Sequence, residues 1–336
     1  MSTEYSFPEL NGAATAVGSM PGTDAREAAR TVVGELDRLP HLPELPARGP
    51  GADMIGRGAG LLVELFAQTE PSGWRFSDRP GRDTRRAHSW LGEDLDALEE
   101  FTQGYDGALK LQAVGPWTLA ASIELHYGEK ALSDRGACRD IAGSLTEGLR
   151  RHLADVRKRV PGAQLVLQLD EPSLPAVLAG SVKTASGFQR LRAVDRQHAE
   201  QALRDVIGAL DVPVVVHSCA PGVPIPLLRR AGAAAVSLDF SFLTERDDDD
   251  LGEAIEGGTA VLAGVVPSAD RELSDPAGSV QGVRTLWRRL GLDPELLGRR
   301  VLVTPTCGLA GASPRYARAA LSHTVKAAQS LVDTPE

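Results

Sequence analysis

The chain has 336 residues, 42% hydrophobic and 24% charged, with 35 Gly and 22 Pro, a composition suited to a globular α/β protein with many tight connections. A formal net charge of -9 offers no basic face for a phosphate backbone, which argues against a nucleic acid partner. No 18 uncharged apolar residues run together, and the opening MSTEYSFPELNG lacks a basic segment followed by an apolar core, so no membrane partner and a soluble cytoplasmic protein are expected.

Taken in chain order, β-rich apolar runs alternate with longer helix-like segments. ATAVGSM (14–20) predicts a first strand, Asp24 to Leu39 a helix, and PHLPEL (40–45) a weak second strand. Segment 70–92, opening EPSGWRFSDRPGRDTRRAHSW, is Arg-rich and poor in periodic apolar residues; it reads as a long loop, either over an anionic ligand or simply exposed. ALKLQAVG (108–115) and QLVLQLDEP (164–172) predict strands on either side of a helix from Asp134 to Val160. A helix from Asp195 to Leu210 then leads to strands VPVVVHSCA (212–220), AAAVSLDF (233–240), TAVLAGVV (259–266) and RVLVTPTCG (300–308). The run DDDD (247–250) reads as a solvated acidic connection, and Ser313 to Val332 as the last helix. Each long helix has Asp or Ser near its start, as caps require. Eight strands with intervening helices predict an α/β fold, a single (β/α)8 TIM barrel over residues 1–336; a doubly wound open sheet would use the same alternation.

In a parallel barrel the βα loops build the pocket at the C-terminal strand ends. Polar residues gather there: Ser19 at the first strand, Asp170 and Glu171 at the fourth, His217 and Cys219 at the fifth, Asp239 at the sixth and Cys307 at the eighth. His217 and Cys219 stand two apart on a strand, so both side chains point the same way and can reach one ion. With Cys307 they make an N, S, S set suited to zinc. The bland reading is that each cysteine is a small buried hydrophobe, and a Cys–His nucleophile pair is a competing chemistry without a visible orienting group. Three cysteines cannot all pair within one chain, and Cys138 lies in a helical segment as a structural residue. His41, His88, His126, His152, His198 and His323 read as surface or capping residues.

The motifs VGSMP (17–21), VGPWTLA (114–120), QLDEPSL (168–174), VHSCA (216–220), VSLDFS (236–241) and PTCGLAGASPRYARAAL (305–321) keep their order over nearly the whole chain. Together the chain resembles the catalytic, C-terminal barrel of cobalamin-independent methionine synthase, in the zinc thiol-alkyltransferase group that also contains epoxyalkane:coenzyme M transferase. The resemblance implies one zinc ion on His217, Cys219 and Cys307, with Asp239 where the family has a Glu ligand. It implies Asp170 holding the amino group of homocysteine, Gly18 and Ser19 holding its carboxylate, and catalysis centred on Asp170 and His217. The implied reaction is methyl transfer to the homocysteine thiol, from methylfolate or a methylcorrinoid carrier, to give methionine.

Three features depart from that pattern. The family's two-barrel enzymes are twice this length. Aligned near ARGPGADMIGR (47–57), the chain puts no carboxylate at the position where the family has a Glu on the homocysteine amine; Arg48 or Pro50 falls there instead, and an Arg would suit an anionic thiol, so an alkyltransferase for another thiol is the second expectation. The family's folate-stacking tryptophan corresponds to about Ser122, with Trp117 five residues earlier. A zinc-binding barrel that partners a methyl carrier without catalysis is the third expectation.

Overall fold

The computed structural model describes residues 7–334; Met1 to Ser6, half of the opening MSTEYSFPELNG, and the last two residues lie outside the described residues. Among the described residues, no helix is long and apolar enough to cross a membrane.

The expected loop at 70–92 is ordered secondary structure. β1 (Phe66–Glu70) and β2 (Gly73–Ser77) form an antiparallel hairpin, and Gly73 at φ 129° supplies a backbone conformation that other residues rarely adopt. A helix follows at Arg82–Phe101. Its stripe of Ala87, Leu91, Leu95 and Leu98 has helical spacing, but half of it lies beyond residue 92, so the period is hidden within the shorter segment.

Six strands make a curled parallel sheet in chain order: β3 (Ala108–Val114), β4 (Gln164–Asp170), β5 (Val214–Ser218), β6 (Ala235–Asp239), β7 (Ala260–Val266) and β8 (Val301–Pro305). All of β3, β5 and β8 is buried, as a parallel sheet covered on both faces demands. The predicted helices form at Ala25–Glu35, Arg135–Arg159, Arg196–Gly208 and Pro314–Asp333, and the side chains of Asp24, Asp134, Asp195 and Ser313 cap them by accepting backbone N–H bonds.

The expected eight regular strands are six. Segments 14–20 and 40–45 make single parallel bridges instead: Ala14 to Val303 of β8, Ser19 to Glu44, and His41 to Lys110 of β3. Gly18 sits at φ 154°, and Pro40 and Pro43 have no N–H to donate, so neither segment can carry a regular ladder.

Two further expectations change. The acidic run 247–250 is not an open connection, because Asp248, Asp249 and Asp250 form the first turn of a helix (Asp248–Glu256), where the helix dipole favours negative charge. His41, His152 and His323 are buried rather than at the surface: His152 and His323 lie on the inner faces of their helices, and His41 is bridged to Lys110 of β3. Cys138 is buried in its helix.

Candidate metal centre and adjoining pocket

Sheet register sets the site. Asp170, the last residue of β4, lies opposite His217 of β5, and His217 lies opposite Ser237 of β6. Cys219 follows one residue past the end of β5, and Cys307 two past β8. Chain ends of four different elements thereby deliver their polar residues to one edge.

His217, Cys219 and Cys307 place a ring nitrogen and two sulfurs within 4.8 Å of one another. The sulfurs are 3.0 Å apart, a thiol contact well beyond the roughly 2.05 Å of a disulfide, and both cysteines are free. The Cys219 contact and the neighbouring His217 ring pull the Cys307 thiol down, while the same contact pushes Cys219 up. His217 Nδ1 shares a hydrogen bond of 2.8 Å with Ser237 Oγ, whereas its buried Nε2 has no partner. A buried ring nitrogen without a partner is costly. With a His217 ring nitrogen and the two sulfurs gathered together, the N, S, S donor set fits zinc.

Asp239 contributes no atom to this cluster. Its Oδ1 accepts bonds from Ser241 N (2.9 Å) and Ser241 Oγ (2.7 Å), capping the short turn Phe240–Phe242.

Asp170 is buried beside the cluster, and its Oδ1 accepts a 2.7 Å bond from Gln168 Nε2. Burial raises its pKa, with His217 and the Gln168 bond opposing. The neighbouring Glu171 acts on the backbone instead. It accepts bonds from Trp117 N (2.9 Å), Thr118 N (2.8 Å) and Thr118 Oγ1 (2.7 Å), holding the start of the helix Pro116–Ser122. Ser19 is brought against the loop after β8, where Leu309 N donates to its carbonyl at 2.8 Å. A Cβ on Gly308 would stand 2.0 Å from Ser19 Oγ, so only glycine permits this approach.

One residue of the pocket is absent from the sequence-based expectations. Glu44 lies near the end of segment 40–45, its backbone bonded to Gly18 O (3.1 Å) and Met20 N (2.8 Å), which places it beside Ser19. Its buried carboxylate is 3.5 Å from Arg57 Nε, and burial, aided by Asp170, pushes it up to about 7. It stands three positions before the segment 47–57, against which the family's Glu was aligned; a Glu near the end of an apolar run was the available signal.

Arg48 is turned elsewhere. Its buried guanidinium pairs with Asp94, approaches Glu93 at 3.5 Å and lies 5.6 Å from the centre of the Trp90 ring. Arg57 binds the same Asp94, so Glu44, Arg57, Asp94 and Arg48 form one buried chain of alternating charge. Trp117 is also committed: it is buried, its indole donates to Ala199 O at 3.2 Å, and His198 meets its ring edge-on at 5.7 Å. A roomy groove of about 680 Å³ between helices 135–159 and 196–208 contains none of these strand-end residues.

A parallel α/β sheet whose strand ends converge on His, Cys, Cys and buried carboxylates defines an enzyme class with its centre at the sheet's C-terminal edge. Within that class the chain belongs to the family described as cobalamin-independent synthase, catalytic domain, whose model matches residues 13–330. Among solved structures it is similar to a B12-independent methionine synthase from Shewanella sp. W3-18-1 in complex with selenomethionine, at 12% identity and TM-score 0.62, covering 96% of this chain and 98% of that one. It is also similar to a methyltransferase from Methanosarcina mazei, at 14% identity and TM-score 0.60, covering 97% and 95%. Comparison with curated proteins returns no match.

Proposed function

We propose that the chain is a zinc-dependent methyltransferase that transfers a methyl group to the thiol of L-homocysteine, giving L-methionine. The observation that carries this reading is the gathering of a His217 ring nitrogen with the sulfurs of Cys219 and Cys307, in a ring whose buried Nε2 has no partner. Family membership supplies the reaction class.

His217 Nε2 and the two sulfurs would hold zinc, with the ring proton on Nδ1 donated to Ser237 Oγ. Bound zinc would keep the acceptor thiol as a thiolate at neutral pH, where a free thiol of pKa about 8.5 is mostly protonated. The chain's own residues orient the substrate. Asp170 and Glu44 accept its ammonium, and Gly18 with Ser19 receives its carboxylate. Holding those two ends leaves the thiol one position relative to the donor, the entropic part of catalysis. Methylfolate and a methylcorrinoid are the candidate donors.

The test is zinc-edge X-ray absorption with and without L-homocysteine, paired with a methionine assay using each donor. Two sulfur ligands rising to three, with methionine formed, is the expected result. Zinc with an unchanged shell, or no methionine from either donor, would overturn the reading.

A further inference from the structure

Lys110 stands in the middle of β3 with no exposed surface, in a sheet interior ordinarily filled by Val, Ile and Leu. Its Nζ donates to Gln168 Oε1 at 2.8 Å and to Val17 O at 3.0 Å. Gln168 Nε2 in turn donates to Asp170 Oδ1 at 2.7 Å and to the same Val17 carbonyl at 2.9 Å. An ammonium has donors only, so the amide oxygen of Gln168 must face Lys110. That leaves the NH2 end for Asp170, and the carboxylate is held as an acceptor in one orientation. The Val17 carbonyl, taking both bonds, fixes the chain as it enters Gly18 and Ser19. Burial draws Lys110 down to about 8, with Asp170 and Glu44 opposing.

We propose that Lys110 is a positioning residue for the amino-acid end of the substrate: through the Gln168 amide and the Val17 carbonyl it orients Asp170 and the Gly18–Ser19 turn together. It rests on the homocysteine reading, in which those residues grip the ammonium and carboxylate. No such role is needed by a lysine that merely fills space, and a methyl-bearing side chain would fill it without the desolvation cost of an ammonium.

The experiment is calorimetric titration of zinc-loaded wild type, Lys110→Met and Gln168→Leu with L-homocysteine and with propane-1-thiol, which has neither amino group nor carboxylate. Wild type should prefer homocysteine. In both variants that preference should fall at least tenfold, with zinc content and propane-1-thiol affinity unchanged. A preference retained in Lys110→Met overturns the proposal, as does an equal loss for both thiols, which marks a purely structural role. If Lys110→Met does not fold, Gln168→Leu decides the same question, since it removes the relay and leaves the lysine. A wild type without preference would instead refute the homocysteine reading, which separates the two failures.

Discussion

Asp170→Asn isolates the role assigned to the β4 carboxylate. The substitution keeps size and shape but removes a negative charge from a buried position beside the cluster. Gln168 Nε2 already occupies Oδ1 at 2.7 Å. An asparagine that keeps its oxygen towards Gln168 must point its NH2 at the substrate ammonium, and one that flips must point it at Gln168. Either way one donor loses its acceptor. A hydrogen bond to a charged group contributes about 1.5 to 3 kcal/mol, so homocysteine affinity should weaken about tenfold to 150-fold. The lower part of that range is expected, because Glu44 remains as a second acid. Zinc content should stay at one ion per chain, since Asp170 supplies no atom to the three-residue cluster. Calorimetry with homocysteine and metal analysis on the same sample read both quantities. Affinity within twofold of wild type, or loss of zinc, would refute the assignment.

Cys219→Ala and Cys307→Ser should each strip zinc and activity together; normal zinc in both variants, measured by elemental analysis, would remove them as ligands. Ser237→Ala deletes the partner of His217 Nδ1, and losing such an outer hydrogen bond typically weakens metal affinity 10- to 100-fold, which chelator competition would detect and an unchanged affinity would contradict. His152, buried in the helix 135–159, is drawn from 6.5 down to about 4 by burial, with Arg57 adding to the effect. Its folded pKa lies below its unfolded one, so the stabilisation is complete above pH 6.5 and is lost as pH falls towards 4. At 1.36 kcal/mol per unit this is roughly 3 kcal/mol, and His152→Leu should flatten urea midpoints across that window; an unaltered slope in the variant would contradict it.

The six strands β3 to β8 were legible because each is a short, mainly apolar run closed by a polar or turn residue, the mark of a strand buried on both faces. His217, Cys219 and Cys307 were legible as a group for the same reason, since parallel strands end at one edge whatever their order. What the chain concealed is register between distant segments. That Glu44 sits beside Ser19 depends on backbone bonds between two irregular stretches 25 residues apart, and neither has a periodicity that specifies its partner. The pairing of Arg48 was hidden in the same way: the resemblance set it where a ligand would lie, while its partner Asp94 stands on the helix 82–101, which begins inside an apparent loop.

The presence of Glu44 alters the choice of thiol. An acceptor with a second anion in place of an ammonium would meet two buried acids, Asp170 and Glu44, and would need a cation to offset them. Arg48 is tied to Asp94 through Nη2, and parting one partner from a buried ion pair costs on the order of 3 to 5 kcal/mol. Arg57 is held between Glu44 and the same Asp94. Lys110 is engaged with Gln168 and Val17 at the interior of the sheet. These three cations offset the three buried acids Glu44, Asp94 and Asp170, so the charges around the pocket are balanced. The zwitterionic end of an amino acid adds no net charge to that set, whereas a second anion would add one without an offset, which favours homocysteine over an anionic thiol on electrostatic grounds.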